Sequence, residues 1–333
     1  MDRESRLAGG PKSATIAVPT RDRGAVLREC IRRVTAEMRA SAWSTELLIV
    51  DTSRGRPEIL DDLVARVDGR HAYFGDVPFS LVRARNTALT LAHGDIVVYL
   101  DDDCFVRPGW LDALLEPYRT LHAVATGGRI IYHPWEPDVG PSTVASLDLA
   151  RDLIAADWRS RPSRPVRVPH LPGGNFSVLR RVALDVGGFD PAYSGSGHLE
   201  ETDFFVRLGQ IHDGIWFTAD AVAEHRAAAR TDGVARARHN FLYRKSAVRN
   251  RLYLLRKYRT GTGVRRSVAR HLRDTAAGVA GYIGHAAVFG LASLCGVVEG
   301  LTAPVDGVPA GLGTPQDVRA WSRDGRALTG GER

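Results

Sequence analysis

Ile96-Val97-Val98-Tyr99-Leu100-Asp101-Asp102-Asp103 is the stretch from which the fold of this chain can be read outward. A short unbroken apolar run fits a strand buried on both faces. Three carboxylates follow it directly. Like charges at this spacing repel, and dry surroundings amplify the repulsion. A divalent cation relieves it. In an open α/β sheet, ligands bind beyond the carboxyl ends of the strands. The cluster therefore points to Mg²⁺ or Mn²⁺ carrying a phosphate-bearing substrate. The plainer reading is an acidic turn that caps the next helix.

Working outward, strands alternate with helices. Ala14–Val18 reads as a first strand stopped by Pro19, and Glu46–Val50 as a second ending at Asp51. Helical spacing of apolar residues covers Gly24–Ala40, Pro57–Val67, Ser80–His93 and Pro108–Leu121. Val124–Ile131 and Ile215–Thr218 read as later strands. This alternation predicts an α/β fold, a parallel or mixed sheet with helices on both faces. The proline-rich stretch His133–Arg167 reads as a loop around one helix, Val144–Trp158.

The chain has 333 residues, 44% of them hydrophobic, enough for one large core with an appendage. Three cysteines without a CxxC pair suggest neither a disulfide frame nor a structural zinc site and fit a reducing cytoplasm. The polar start, Met1–Ser13, has no apolar core of the kind a secretory signal needs. The net charge of +7 is uneven: Arg226–Arg273 holds 15 Lys or Arg against one acid, Asp232, a local excess of +14. Such an appendage suits a polyanionic partner, or is a solvated arginine-rich helix face. Thr275–Val298 is 24 residues without a formal charge, rich in Gly and Ala. Its length would span a bilayer, but its composition favours a packed or interfacial helix. The expected organisation is a disordered tail over 1–13, a catalytic domain over 14–226, a basic helical extension over 227–300 and a Gly/Pro-rich disordered tail over 301–333.

Further residues gather at the same strand ends. Val18-Pro19-Thr20 and Asp51 face the crevice of the triplet, where an Asp can accept from a base N–H or a ribose hydroxyl. Arg83-Ala84-Arg85-Asn86 offers charged and neutral donors to a phosphate, or is an ordinary surface helix. Pro172-Gly173-Gly174-Asn175 permits close backbone approach to a ligand. Gly187-Gly188-Phe189-Asp190 follows, then Glu200-Glu201-Thr202-Asp203 and His225. Helix capping explains one acid of the second cluster, not three. There is no GxxxxGK loop, no GxGxxG after a strand, no HExxH and no GxSxG elbow. Kinase, ordinary dehydrogenase, zincin and α/β-hydrolase readings are thereby disfavoured.

Taken in order, these pieces resemble family 2 glycosyltransferases from about Ala14 to His225. The resemblance implies a GT-A nucleotide-diphospho-sugar transferase fold, a Rossmann-like mixed sheet flanked by helices, here with a C-terminal helical extension. It implies that Pro19, Thr20 and Asp51 hold the nucleotide base, and that Arg83, Arg85 and Asn86 line the diphosphate side. Asp101 and Asp102 would lie near the ribose and donor sugar, and Gly174 and Asn175 would shape the sugar site. Asp103, with Asp101 and His225, would bind Mg²⁺ or Mn²⁺. The catalytic base falls on Glu201, where many relatives carry Asp; Glu200 stays open as an alternative, with Asp203 in the same acidic cluster.

The implied reaction is an inverting transfer from a UDP, GDP or dTDP sugar to a hydroxyl acceptor, lipid-linked or a small metabolite. The expected location, from the cysteine usage and the basic extension, is cytoplasmic, with peripheral contact at the inner face of the membrane left open and no nucleic acid partner expected. Two other readings stay open: a nucleotidyltransferase acting on a sugar phosphate, and a non-catalytic protein that binds membrane or polyanion.

Overall fold

The computed structural model describes residues 10–55, 64, 69–74, 80–133, 143–195, 197–226, 241–281, 285–305, 319–321 and 327–328. β1 (Ser13–Thr20), β2 (Ser44–Asp51), β3 (Gly69–Tyr73) and β4 (Ile96–Leu100) are parallel neighbours in the order β3-β2-β1-β4. Every residue of β4 is buried, as its unbroken apolar run requires. The sheet continues through β10 (Asn175–Leu179), antiparallel to both β4 and β6 (Ala125–Tyr132). β11 (Ile215–His225) then runs parallel to β6 and carries β5 (Cys104–Val106) and β9 (Val166–Arg167) antiparallel. The mixed sheet of the expectation is thus parallel from β3 to β4, and beyond β4 the reversed strands β10, β5 and β9 stand beside the parallel pair β6 and β11.

Helices flank it. α1 (Gly24–Ala40) buries Leu27, Cys30, Ile31, Val34 and Met38 at three- and four-residue spacing, and touches α3 (Trp110–Thr120). α2 (Leu81–Leu91) starts at Ser80, whose hydroxyl accepts from the Arg83 N–H. It packs on β1, β2 and β4 and on α4 (Arg180–Asp185). The helix expected over 57–67 lies outside the described residues apart from Val64.

Three local expectations change. β1 does not stop at Pro19 but runs to Thr20: β4 pairs only with Ala14–Ala17, so the missing proline N–H breaks no ladder bond on that side. The helix expected over Val144–Trp158 is instead a hairpin of β7 (Ala145–Asp148) and β8 (Leu153–Ala156). Asp152 takes the left-handed region at its turn (φ 55°), and Asp148 Oδ1 accepts from the Arg151 N–H. Asp152 is buried and paired with Arg251 and Arg270, far along the chain. The C-terminal stretch expected to be unstructured contributes β12 (Arg319–Trp321) and β13 (Ala327–Leu328) beside β3.

The extension holds α6 (Phe241–Lys257), α7 (Gly261–Gly281) and α8 (His285–Thr302), which pack on one another; α5 (Glu200–Gly209) belongs to the body. The uncharged stretch 275–298 is therefore shared by two helices, and among the described residues no helix is long and apolar enough to cross a membrane. Much of the basic charge is directed inward. Lys257 pairs with Asp190 and Asp203, Arg251 and Arg270 with Asp152, and Lys245 with Glu299. Arg256 donates to the carbonyls of Gly300 and Ala303. Lys257, Arg251 and Arg270 dock the extension on the body, while Lys245 and Arg256 hold its helices to one another.

Candidate active site

The turn after β4 sends Asp101 toward the reversed strand β10 and brings Asp102 and Asp103 together at Arg23. It is closed by the Cys104 N–H donating to the Asp101 carbonyl at 3.0 Å. Asp101 leans on the reversed strand: a Cβ at Gly174 would stand 2.9 Å from its Oδ2, and Arg85 Nη2 lies 3.8 Å from Oδ1. Asp102 turns to β1 and accepts from Thr20 Oγ1 at 2.8 Å and from Arg23 Nη1 at 2.6 Å. Asp103 also accepts from Arg23 Nη1, at 2.8 Å, and its Oδ1 lies 3.4 Å from His225 Nε2 at the end of β11. Register puts His225 opposite Cys104, and the Arg226 N–H donates to the Asp103 carbonyl, so backbone pairing holds the two side chains together.

The repulsion that pointed to a metal is answered first by Arg23, whose guanidinium bridges Asp102 and Asp103. Burial nonetheless pushes the Asp102 carboxyl up to about 7, with the charge of Asp103 adding to it and Arg23 opposing it. Burial also raises the thiols of Cys30 and Cys104 well above their ordinary range. They stay protonated as small core residues and not as nucleophiles.

Asp103 and His225 form an oxygen–nitrogen donor pair of a kind that Mn²⁺ accepts. Asp101 does not join them, and among the described residues no group of three or more His, Cys, Asp or Glu is arranged to hold a metal. The pair therefore fits a cation whose remaining positions are filled by phosphate oxygens and water, as hard divalent ions in phosphate sites commonly are.

On the other side of the crevice, Asp51 is fully buried at the end of β2. Its Oδ1 accepts from the Ser53 N–H at 2.8 Å, and its Oδ2 lies 3.1 Å from His71 Nε2. The β1 end is tied to this loop by the Thr52 N–H donating to the Thr20 carbonyl at 3.1 Å, and the Asp22 N–H to Ser53 Oγ at 2.8 Å. Pro19, buried in β1 opposite Val50, carries Thr20 to this edge.

The acidic cluster at the start of α5 separates cleanly. Glu200 is 1% exposed and ion-paired with Arg85, itself buried over the rings of Phe176 and Phe189. Arg85 Nη2 also donates to the Gly173 carbonyl at 2.6 Å. Glu201 is half-buried and stands across Gly173 from Arg85: a Cβ on that glycine would be 3.3 Å from Arg85 Nη2 and 3.5 Å from Glu201 Cδ. Arg85 and Glu201 thus face each other across Gly173. Asp203 is buried on the far side of the helix among Arg207, Lys257 and Tyr258. It anchors the extension and has no place in the crevice.

Other expected site residues are likewise committed to the scaffold. Asn86 exchanges two hydrogen bonds with the backbone of Phe189, at 2.7 and 2.8 Å, and so clamps the Gly187-Gly188 turn. Asn175 accepts from Trp110 Nε1 and donates to the carbonyls of Arg129 and Ala221, which engages its whole amide. Arg83 is exposed on α2. Arg23 and His71 were not among the expected residues. Arg23 lies in the Thr20-Arg21-Asp22-Arg23-Gly24 stretch after the first strand, which is a visible signal; nothing local marks His71.

Comparison with known proteins places the chain by family and by fold. The family model described as glycosyl transferase family 2 matches residues 15–184, just over half of the chain. A glucosyl-dolichyl phosphate glucuronosyltransferase of Haloferax volcanii is 26% identical over 189 residues, covering 54% of this chain and 58% of its own. A pre-mycofactocin glycosyltransferase of Mycobacterium tuberculosis is 27% identical over 242 residues, 69% of this chain and 47% of its own. The chain thus spans about half the length of these curated relatives. A structure of GalNAc-T7 with UDP, GalNAc and Mn²⁺ superposes with a TM-score of 0.60 and 15% identity, over 86% of this chain and 55% of that one. At that identity the likeness is one of fold, and it shows the GT-A architecture expected from the sequence.

Proposed function

The chain belongs to glycosyl transferase family 2, and on that premise we propose that it moves a sugar from a UDP, GDP or dTDP donor to a hydroxyl acceptor with inversion. The observation that carries this reading is the grouping at the mouth of β4: Asp101 against Gly174, Asp102 and Asp103 bridged by Arg23 with His225 beside Asp103, and Glu201 across Gly173 from Arg85.

Asp51, set by His71 and the Ser53 N–H, receives the donor's base or ribose beside Thr20. Asp101, against Gly174 and Arg85, faces the sugar. Asp103 and His225 would hold Mg²⁺ or Mn²⁺ for the diphosphate. That ion, when bound, supplies positive charge to the departing nucleoside diphosphate. Arg23 adds charge at the same edge.

Glu201 takes the proton of the acceptor hydroxyl as its oxygen forms the bond to the anomeric carbon. The bond from that carbon to the diphosphate oxygen breaks, and its electron pair leaves with the nucleoside diphosphate. One displacement inverts the centre. Glu201 suits this role because it combines access to the crevice with a position beside Arg85; Glu200 is already engaged in an ion pair.

Calorimetric titration of UDP, GDP and dTDP, with and without Mn²⁺, tests the donor site. Wild type should bind one nucleotide in a metal-dependent way, and Asp103→Ala should abolish that dependence. Absence of metal-dependent binding for all three would refute the reading.

A further inference from the structure

α8 carries an apolar face that no described element covers. Leu291, Leu294, Val298 and Leu301 are 57%, 44%, 61% and 40% exposed. At 3.6 residues per turn they fall within about a quarter of the helix circumference. The opposite side is seated in the bundle: Ala292, Ser293, Val297 and Gly300 are buried, and a Cβ at Gly300 would meet Leu252 of α6 at 2.7 Å. The stripe is therefore fixed in place and held outward by packing, with Arg256 tying the end of α8 to α6.

The neighbouring helix supplies charge of one sign. On α7, Arg265, Arg266 and Arg273 are exposed, with Leu272 exposed beside Arg273. Unlike Arg251, Arg270 and Lys257, they are not directed to the buried carboxylates of the body. Glu299, at the edge of the stripe, is paired with Lys245. An apolar stripe on α8 and exposed arginines on the helix packed against it complement an anionic lipid surface. They do not complement a second copy of themselves, whose arginines would repel.

We infer that the α7–α8 face docks on an anionic lipid bilayer, with the α8 stripe in the interface and the α7 arginines at the headgroups. No described helix is long and apolar enough to cross, so the chain lies on the surface. Apolar burial and basic attraction are each weak anchors, and stable docking uses the two together. The inference stands apart from the sugar-transfer reading, since it uses none of the residues assigned to that site.

The test is flotation of the full chain with vesicles of phosphatidylcholine alone or mixed with phosphatidylglycerol. Wild type should float with the anionic vesicles, and added salt should release it. Leu294→Glu with Val298→Glu should abolish flotation while the circular dichroism melt is unchanged, because both positions are exposed. Arg265→Gln, Arg266→Gln and Arg273→Gln together should weaken it by about fivefold per charge, on the order of a hundredfold. This second variant leaves the stripe intact and reports independently of the first. Failure of wild type to bind anionic vesicles at low salt would overturn the inference. So would a dimer in sedimentation velocity that Leu294→Glu with Val298→Glu dissociates while vesicles remain unbound.

Discussion

Substituting Glu200 and Glu201 in turn by glutamine should separate folding from chemistry at adjacent positions. Glu200 is buried and paired with Arg85, which is buried too. Glutamine there leaves a guanidinium in the interior without its carboxylate, a change that costs about 3–5 kcal/mol. For a chain of this size that lowers the melting temperature by on the order of 10 °C. Glu201 is half-buried at the crevice. The isosteric change there should move stability by no more than about 0.5 kcal/mol. It should lower turnover by about a hundredfold or more, because the amide cannot take the acceptor's proton. Differential scanning calorimetry reads the first effect. Release of nucleoside diphosphate from a donor sugar, with water as acceptor, reads the second, and nucleotide titration shows that the donor site persists. Full turnover in Glu201→Gln, or a wild-type melt in Glu200→Gln, would refute the assignment.

His170 is buried beside Trp158, and burial lowers its imidazole to about 4. The unfolded chain takes up that proton near its ordinary value of about 6.5, so stability is complete above that pH and is lost as pH falls toward 4. The loss reaches about 3 kcal/mol. His170→Gln should flatten this limb in urea unfolding between neutral and acid pH; an unchanged slope would show that other groups carry it. Asn175→Ala leaves the Trp110 indole N–H and two backbone carbonyls without their partner. It should cost about 1–3 kcal/mol for each group left unsatisfied. Nucleotide affinity measured by calorimetry should stay within a few-fold of wild type, and a large loss of affinity in a stable protein would place Asn175 in the donor site after all.

Much of the site was legible because it is written locally. An apolar run ending in carboxylates declares a buried strand and its mouth, and β1, β2, β4, α1 and α2 all follow from nearest-neighbour spacing. Which acid faces the crevice was not legible. Glu200 and Glu201 are adjacent on one helix, and only the packing of α5 beside Arg85 and Gly173 distinguishes them. Asn86, Asn175 and Asp203 have the composition of site residues, yet their polar groups are engaged by backbone or by the extension, which only the assembled chain reveals.

The sequence by itself determined the α/β alternation, the acidic mouth of β4 and the basic character of the extension, since each depends on residues close together in the chain. Tertiary structure decided what those charges do. Arg23 meets Asp102 and Asp103 across 79 and 80 residues, and Arg251 and Arg270 reach Asp152 across 99 and 118. The turn of the β7–β8 hairpin, in a stretch that reads as a helix, is where that last pairing is made. Buried charge must find its partner, and where that partner lies is a property of the fold and not of any local window.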